Sequence, residues 1–160
     1  MLVIVEGVDG TGKTTLCKNL YGFGIESIKP VPRDNKKQYK NWKKVIKFCR
    51  NFNYTVDRGF ISELVYRIYD GLPANMCLKD MLKILKKCVI IYCKTDTAFE
   101  DSMERGETNI VNKKDSMEIA NIYENIMMML NHFANVPVFV YNWKKGNIYD
   151  VVDFIKSQGR

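Results

Sequence analysis

The sequence lacks the features that would place this protein in a membrane or around a structural metal. No apolar run approaches the roughly 20 residues that a membrane-spanning helix needs. Residues 1–5 (MLVIV) meet an acid at Glu6 without a basic leader, so we expect no signal peptide. The five cysteines are odd in number and contain no C-x-x-C pair, which argues against a disulfide framework or a zinc site. We therefore expect a reduced, cytoplasmic protein whose cysteines act as small hydrophobic residues.

Histidine is also scarce, and its scarcity narrows the chemistry. The single histidine, His132, falls near the end of a predicted helix, where a positive charge is favourable, and we assign it no role. Nucleophilic catalysis by a cysteine–histidine or serine–histidine pair therefore has no support in the sequence.

The chain does have the size of one domain and a localised positive charge. With 160 residues, 46% of them apolar, it fits a single domain over residues 1–160. The net charge is +7, yet residues 29–50 carry nine lysines or arginines against one acid, a local charge of +8. Such a segment either binds phosphate-rich partners or forms a solvated helix face, and the sequence leaves both interpretations open.

Hydrophobic periodicity predicts strands that alternate with helices along the whole chain. The five predicted strands are residues 2–6, 25–29, 53–56, 88–93 and 136–141. The predicted helices begin near Lys13 and near residue 148, and otherwise cover 36–50, 61–71, 76–87, 97–104 and 115–133. This alternation is typical of an α/β protein with a parallel sheet and helices on both faces.

A glycine-rich loop between the first strand and the first helix carries the clearest motif. Residues 7–14 (GVDGTGKT) match the P-loop pattern G-x-x-x-x-G-K-[ST] in the strand–loop–helix setting that the pattern requires. Glycines permit the tight turn that presents backbone N–H groups to phosphate oxygens. Lys13 can reach the β- and γ-phosphates and Thr14 can ligate Mg²⁺. The sequence therefore predicts that a nucleoside triphosphate binds here.

A second motif, residues 112–115 (NKKD), matches the guanine-recognition pattern N-K-x-D of GTPases. A GTPase also needs a D-x-x-G between the two motifs, and no aspartate from residue 34 to 101 has a glycine three places later. The segment before Asn112 is a poor central strand, so we expect N-K-x-D to open the long helix, with Asp115 near its N-cap. A P-loop GTPase remains the alternative function.

The P-loop and its surroundings resemble the thymidylate kinases and related deoxynucleotide kinases over most of the chain. Residues 5–15 (VEGVDGTGKTT) are similar to the family pattern E-G-x-D-G-x-G-K-[ST]-T, which is narrower than the general P-loop. Asp57-Arg58 after the third predicted strand matches the D-R pair of that family, and residues 104–106 (ERG) fall near the expected lid. The resemblance implies a P-loop NTPase fold with a five-stranded parallel sheet in the order 2-3-1-4-5.

The same resemblance implies Mg²⁺-dependent transfer of the ATP γ-phosphate to a deoxynucleoside monophosphate, dTMP first. The expected catalytic residues are Lys13, Asp57, Arg58 and Arg105, with Thr14 and Asp57 at the metal. Arg105 would close over the transferring group as part of a lid segment at about 104–113. The residues expected to bind ATP are Gly7, Asp9, Gly10, Thr11, Gly12, Lys13, Thr14 and Thr15.

The resemblance also implies an acceptor site. By family position, Asp9 would accept a hydrogen bond from the sugar 3′-hydroxyl, and the ring of Tyr66 would crowd the 2′ carbon. Glu63 stands where thymidylate kinases usually carry a neutral contact. Residues 32–34 (PRD) are a loose stand-in for the arginine motif of the family. The residues expected to bind the acceptor are Asp9, Arg33, Arg58, Ser62, Glu63 and Tyr66.

The basic segment supports a third interpretation with a different partner. Its lysines are interleaved with Tyr39, Trp42 and Phe48, a combination that can bind single-stranded nucleic acid by charge and stacking. The protein would then be a polynucleotide kinase or a nucleic-acid-stimulated ATPase. In the favoured interpretation the segment instead forms a wall of the acceptor pocket. Because thymidylate kinases are commonly dimers, a homodimer is also expected, and no membrane partner is.

Overall fold

The computed structural model describes residues 1–29, 37–49, 51–106 and 112–159. Within these ranges five strands alternate with helices. The strands are β1 (Leu2–Glu6), β2 (Glu26–Ile28), β3 (Tyr54–Asp57), β4 (Cys88–Cys93) and β5 (Val138–Tyr141). The helices are α1 (Lys13–Tyr21), α2 (Gln38–Phe48), α3 (Phe60–Tyr69), α4 (Leu78–Leu85), α5 (Ala98–Glu104), α6 (Lys113–Phe133) and α7 (Ile148–Gln158).

The strands form one parallel sheet in the order β2-β3-β1-β4-β5. β1 lies at its centre, with Val3 level with Thr55 of β3 and Val89 of β4. The predicted α/β class and the strand order 2-3-1-4-5 are confirmed. Since the chain continues to β3 on one side of β1 and to β4 on the other, the carboxyl end of β1 faces a topological switch point, where ligands bind in such sheets.

Helices cover both faces of the sheet, and each face has its own core. Leu2 and Ile4 of β1 belong to the core under α2, α3, α4 and α6, whereas Val3 and Val5 pack under α1 and α7. Because both faces are covered, every residue of β1 and β4 is buried, which explains their continuous apolar sequences. Among the helices that the structure describes, none combines the length and apolarity of a membrane span.

Most element boundaries differ from the sequence prediction by one or two residues, and three of these differences have a clear local reason. α4 begins at Leu78 rather than 76, since Cys77 before it has extended backbone, with ψ 148°. α6 begins at Lys113 rather than 115, because the side chain of Asn112 accepts a hydrogen bond from the backbone N–H of Asp115 at 2.9 Å. β5 begins at Val138 rather than 136, after Pro137, which has no N–H to donate to the ladder.

Candidate active site

Three glycines shape the loop at the carboxyl end of β1. Gly7, Gly10 and Gly12 have φ angles of 143°, 86° and 79°, which L side chains rarely adopt. A Cβ on Gly10 would lie 1.8 Å from the carbonyl oxygen of Ala98, so the loop packs directly on the start of α5. The loop then enters α1, whose first backbone N–H groups have no partner within the helix and can bind an anion.

This loop forms one wall of an open cleft with a volume of about 660 Å³. The cleft is lined by Asp9, Gly10, Gly12, Lys13, Thr14, Thr15, Lys18, Asp57, Arg58 and Arg105. All of these except Lys18 are candidate site residues from the sequence. Two further candidates support the loop from behind: Gly7 approaches the carbonyl of Cys93, and the hydroxyl of Thr11 donates to the carbonyl of Val8 at 2.8 Å.

Lys13 is the buried cation of the cleft. Its side chain is 6% exposed, and Nζ donates a hydrogen bond to the carbonyl oxygen of Val8 at 2.6 Å. Burial, together with the neighbouring Arg58, lowers the pKa of Lys13 to about 8. A lysine with this pKa is still mostly charged at neutral pH, and an anion bound beside it would raise the pKa again. Lys13 therefore places a buried positive charge at the cleft.

Thr14 and Asp57 meet across the floor of the cleft. Thr14 Oγ1 donates to Asp57 Oδ2 at 2.5 Å, which joins the start of α1 to the end of β3. Asp57 Oδ1 is buried and has no hydrogen-bond partner among the described residues. A buried carboxylate oxygen without a partner is costly, and a hydroxyl beside a carboxylate is an oxygen donor set that suits Mg²⁺. The residues present therefore fit a magnesium ion.

Arg58 pairs with Asp9 of the P-loop inside the cleft. The Arg58 guanidinium makes a salt bridge with the Asp9 carboxylate and lies 6.0 Å from the ring centroid of Tyr66. Arg58 has a left-handed backbone, with φ 68°, and its N–H donates to the carbonyl of Val5 at 2.9 Å. This backbone is uncommon for a residue other than glycine. The bond to β1 fixes it, and the side chain points over the P-loop.

Arg105 reaches the cleft from the end of α5. Its Nη2 donates to the carbonyl oxygen of Gly10 at 2.9 Å, and its Nε donates to the carbonyl of Asp101 at 2.9 Å. Gly106 follows with φ 64°, a conformation that breaks the helix. The structure thus brings Arg105 to the P-loop from 95 residues away.

Several solved structures share this architecture. The YorR protein of Bacillus subtilis, solved in complex with phosphorylated GDP, matches 98% of this chain over 96% of its own length, with a TM-score of 0.75 and 17% identity. A deoxyadenosine kinase from M. mycoides with bound dCTP matches 98% of this chain over 100% of its own, with a TM-score of 0.64 and 19% identity. The thymidylate kinase of Candida albicans matches 98% over 89%, with a TM-score of 0.54 and 10% identity.

No protein-family model and no curated protein sequence matches the chain. The structural likeness nevertheless extends over nearly the whole chain in each of the three cases. This is the fold of the P-loop nucleotide kinases. The predicted resemblance to deoxynucleotide kinases is confirmed at the level of the fold.

Beneath the cleft, the P-loop kinase fold of this chain contains a buried polar network centred on Glu6. The Glu6 carboxylate is fully buried and accepts hydrogen bonds from the backbone N–H of Gly59 at 2.8 Å and from the hydroxyl of Ser62. Tyr123 of α6 in turn donates from its hydroxyl to Ser62 Oγ at 2.8 Å. The network ties β1 to the start of α3, which follows Arg58 in the chain.

Two acceptor-site candidates are thus engaged by the protein itself. Ser62 is fully buried within the Glu6 network, so in this structure it supports the floor of the site rather than lining the cleft. The Glu63 carboxylate accepts hydrogen bonds from the side-chain amides of Gln38 and Asn75. Glu63 therefore holds the start of α2 against the segment after α3. Direct contacts of Ser62 and Glu63 with an acceptor remain predictions.

The buried Glu6 carboxyl also predicts how stability depends on pH. Burial raises the pKa of Glu6 above its usual value, against the opposing effects of its hydrogen bonds with Ser62 and Gly59. The folded state thus holds this proton to a higher pH than the unfolded state does. The protonated Glu6 carboxyl therefore contributes to the free energy of unfolding. This contribution is complete below the pKa of Glu6 in the unfolded state and is lost as the pH rises through its pKa in the folded state.

We therefore expect the free energy of unfolding to fall less between pH 5 and 8 in Glu6→Gln than in the unmodified protein. Urea denaturation at several pH values measures this slope. Glu104→Gln, which alters an exposed carboxylate at the end of α5, is the matched control and should keep the original slope. Identical pH slopes in Glu6→Gln and the unmodified protein would contradict the prediction.

The N-K-x-D sequence has a structural explanation in this fold. Asn112 is the N-cap of α6 and exchanges hydrogen bonds with Asp115, from the Asp115 N–H to Asn112 Oδ1 and from Asn112 Nδ2 to Asp115 Oδ2, both at 2.9 Å. Lys113 pairs with Glu100 at 2.6 Å. The motif therefore opens the long helix, as the sequence predicts, and these side chains are engaged in capping and ion pairing rather than presented to a base.

Three residues in or near the cleft were not predicted from the sequence. Lys18 lines the cleft one turn after Thr14 on the same side of α1, and this i, i+4 spacing is a signal that could have indicated it. The Trp143 ring packs so closely on Gly12 that a Cβ there would lie 2.7 Å from it. Lys144 donates to Thr97 Oγ1 at 2.6 Å and to Asp101 Oδ1 at 2.8 Å. Trp143 and Lys144 come two and three residues after the end of β5, at the sheet edge where ligands bind.

Part of the predicted site lies outside the described residues. Arg33, the loose stand-in for the family's arginine motif, is one such residue, and residues 107–111 of the predicted lid are others. Arg33 and the lid boundaries therefore remain predictions.

Proposed function

We propose that the protein is an Mg²⁺-dependent kinase that transfers the γ-phosphate of ATP to a deoxynucleoside monophosphate, with dTMP preferred. The observation that carries this proposal is the convergence of Lys13, Arg58 and Arg105 on one cleft beside Asp57. Three cations around one site suit a reaction whose donor and acceptor both bear phosphates. The fold shared with a deoxyadenosine kinase and a thymidylate kinase supports phosphoryl transfer to a deoxynucleoside or deoxynucleotide acceptor, and the second of these enzymes is the one that fits a monophosphate.

The P-loop would hold the ATP phosphates. The N-terminus of α1 and the loop N–H groups offer donors for phosphate oxygens, and Lys13 would exchange its bond to the Val8 carbonyl for a phosphate oxygen. Thr14 and Asp57 would hold Mg²⁺, which, when bound, neutralises the charge of the β- and γ-phosphates. Thr14 and Asp57 already lie within 2.5 Å of each other, so the site needs little rearrangement.

Arg58 and Asp9 would bind the acceptor. In this structure the Arg58 guanidinium and the Asp9 carboxylate form a salt bridge, so each charge is neutralised by the other. An incoming phosphate can displace Asp9 from the guanidinium, since Arg binds phosphate with two parallel hydrogen bonds. The freed Asp9 carboxylate can then accept a hydrogen bond from the sugar 3′-hydroxyl. This one exchange of partners would thus bind both the phosphate and the sugar 3′-hydroxyl of a nucleoside monophosphate.

The transfer step itself would need little help from a base. An oxygen of the acceptor phosphate attacks the γ-phosphorus, the bond to the β,γ-bridging oxygen breaks, and ADP leaves with that electron pair. A phosphate oxygen carries no proton to remove at neutral pH, so Asp57 would stay with the metal. A nucleoside hydroxyl would instead require proton removal, for which Asp57 is the nearest candidate.

A panel of acceptors tests the proposal. Initial rates with ATP are measured for dTMP, dGMP, dCMP and dAMP, for their ribose counterparts, and for the free nucleosides. We expect dTMP to be fastest and each deoxy form to exceed its ribo form by about tenfold or more, a difference of at least 1.4 kcal/mol. Tyr66→Ala should narrow the deoxy-to-ribo ratio by removing a steric clash, whereas Tyr66→Phe, which keeps the ring, should preserve it.

Two outcomes of the panel would contradict the proposal. Equal rates on deoxy and ribo forms would remove the assigned role of Tyr66. Activity on nucleosides but not on monophosphates would make the protein a nucleoside kinase, with Asp57 as the base. If dGMP ranks above dTMP, only the preferred base in the proposal changes. The Glu63 carboxylate would then recognise guanine by accepting hydrogen bonds from its N–H groups.

The remaining parts of the proposal concern the organisation of the protein. The kinase would act as a single domain over residues 1–160 with a lid at about 104–113. By resemblance to the thymidylate kinases, it would work in the cytoplasm as a homodimer. Light scattering at several concentrations tests the dimer.

A further inference from the structure

A second concave site lies between α2 and α4, away from the phosphate cleft. This groove has a volume of about 460 Å³ and is lined by Tyr39, Lys43, Ile46, Lys47, Lys83, Ile84, Lys86 and Lys87. None of these residues lines the phosphate cleft. α2 and α4 lead to the amino ends of β3 and β4, so the groove extends toward the sheet edge opposite the P-loop. The sequence led us to expect that the basic segment forms a wall of the acceptor pocket, but none of its described residues lines the phosphate cleft, and the kinase mechanism proposed above uses none of the groove residues.

The two helical segments that form the groove carry a net charge close to that of the whole protein, and five of their lysines line the groove. Residues 37–49 and 77–87 together contain nine lysines and one acid, a net charge of +8, whereas the full chain carries +7. The rest of the protein is therefore close to neutral. Sequence inspection finds the basic segment of α2, but only the fold adds the lysines of α4, which come some 40 residues later.

These lysines are poorly neutralised by the protein. Within the described residues, no carboxylate lies within 4.0 Å of Lys43, Lys47, Lys86 or Lys87, while Lys83 has only Asp80 at 3.4 Å. Lys43 lies 5.4 Å from the ring centroid of Tyr39, a cation–π contact. Five ammonium groups around one groove repel one another, so a polyanion that follows the groove would relieve the repulsion.

The floor of the groove indicates which polyanion fits. Tyr39, Ile46 and Ile84 give it an apolar base, and residues 39–47 extend about 12 Å along α2. A single-stranded nucleic acid offers both charged phosphates for the lysine rims and exposed base faces for Tyr39. A duplex keeps its base faces stacked inside and offers only the charge. The Tyr39 ring and apolar floor therefore favour a single strand.

We propose that the α2–α4 groove binds single-stranded nucleic acid, with the lysines on the phosphates and Tyr39 stacked on a base. This site is separate from the phosphate cleft and does not depend on the proposed kinase activity. The proposal also differs from the polynucleotide kinase interpretation, in which the nucleic acid would enter the cleft beside Lys13 as the acceptor.

Fluorescence anisotropy with a labelled 20-nucleotide oligothymidylate tests the proposal. The groove variant Lys43→Ala/Lys87→Ala is compared with Lys114→Ala/Lys156→Ala, which removes the same charge from exposed positions on α6 and α7. We expect the groove variant to bind about tenfold more weakly at low salt. Its plot of log affinity against log salt should also be less steep by about 1.4, because two phosphate contacts are lost. The control variant should stay close to the unmodified protein.

Substitution of Tyr39 tests base stacking separately from charge. Stacking neutralises no phosphate and releases no counterions, so its loss should not change the salt dependence of binding. Tyr39→Ala should weaken binding at least fivefold with an unchanged salt slope, and Tyr39→Phe should restore the affinity. Acceptor phosphorylation by both groove variants should remain at the unmodified rate.

Three outcomes would overturn the proposal. Equal losses in the groove and control variants would show attraction by net charge alone. Equal affinity for a 20-base-pair duplex and the single strand would remove the role of Tyr39. Binding of a poly-glutamate peptide, but not of the oligonucleotide, with the same dependence on Lys43 and Lys87 would make the partner an acidic protein segment.

Discussion

Replacing Lys13 by alanine should reduce phosphoryl transfer to below a few per cent of the unmodified rate, a barrier increase of about 2 kcal/mol or more. Lys13 is the buried cation of the P-loop, and its ammonium donates to the Val8 carbonyl, which a phosphate oxygen would replace. Alanine leaves the phosphates without that charge. The fold should survive, since a buried ammonium costs solvation energy that alanine does not. Steady-state rates with ATP and dTMP, together with urea denaturation, measure both effects.

Two further variants sharpen the Lys13 experiment. Lys13→Met keeps most of the side-chain volume without the charge, so it should be as inactive as Lys13→Ala if charge is what matters. Lys114→Ala, which removes an exposed lysine near the start of α6, should keep the full rate. Retention of more than a few per cent of activity in both Lys13 variants would contradict the assignment of the P-loop as the phosphate site.

The P-loop was accessible from the sequence because its geometry is local. Glycines at 7, 10 and 12 supply the positive φ angles within six residues, and Lys13 and Thr14 follow in the same helix. The parallel α/β class was accessible because two short apolar strands, β1 and β4, are buried on both faces and alternate with amphipathic helices. The strand order 2-3-1-4-5 was expected only from the resemblance to the deoxynucleotide kinases.

Contacts across long sequence separations were not accessible in the same way. The hydrogen bond between Thr14 and Asp57 joins residues 43 positions apart, and only the folded chain shows that Asp57 Oδ1 is left without a partner among the described residues. Glu6 illustrates the same limit. It looks like part of the P-loop motif, but its carboxylate is fully buried and accepts hydrogen bonds from Gly59 and Ser62 beneath the cleft.

Residue spacing alone does not show what surrounds a matching position. Ser62 is expected in the acceptor site from the family resemblance, and in this structure it is fully buried beneath the cleft. Trp143, which no motif covers, packs on Gly12 of the P-loop. The position of Ser62 along α3 follows from the sequence. Its burial depends also on α6, because the Tyr123 hydroxyl, 61 residues away, donates to Ser62 Oγ.

Replacing Arg105 by alanine should lower the turnover number about 100-fold while leaving the KM for ATP within about threefold. The Arg105 guanidinium now donates to the carbonyl oxygen of Gly10, inside the P-loop itself. It therefore stands at the proposed site of transfer, where negative charge on the transferring phosphoryl group would draw the guanidinium from a neutral carbonyl to an anion. A contact that strengthens only as the reaction proceeds raises turnover rather than substrate affinity.

Arg105→Lys and Arg67→Ala separate this effect from a general loss of charge. Lysine keeps the charge but not the paired N–H geometry that joins Gly10 and Asp101, so its turnover should lie between those of alanine and arginine. Arg67, whose Nε donates to the carbonyl of Pro73 in the turn after α3, carries the same charge outside the cleft, and its removal should leave turnover unchanged. If Arg105→Ala raises the KM for ATP and keeps the turnover number, Arg105 binds the nucleotide equally in ground and transition states. The residue would then be part of the ATP site, and the segment after α5 would have no part in the transfer step.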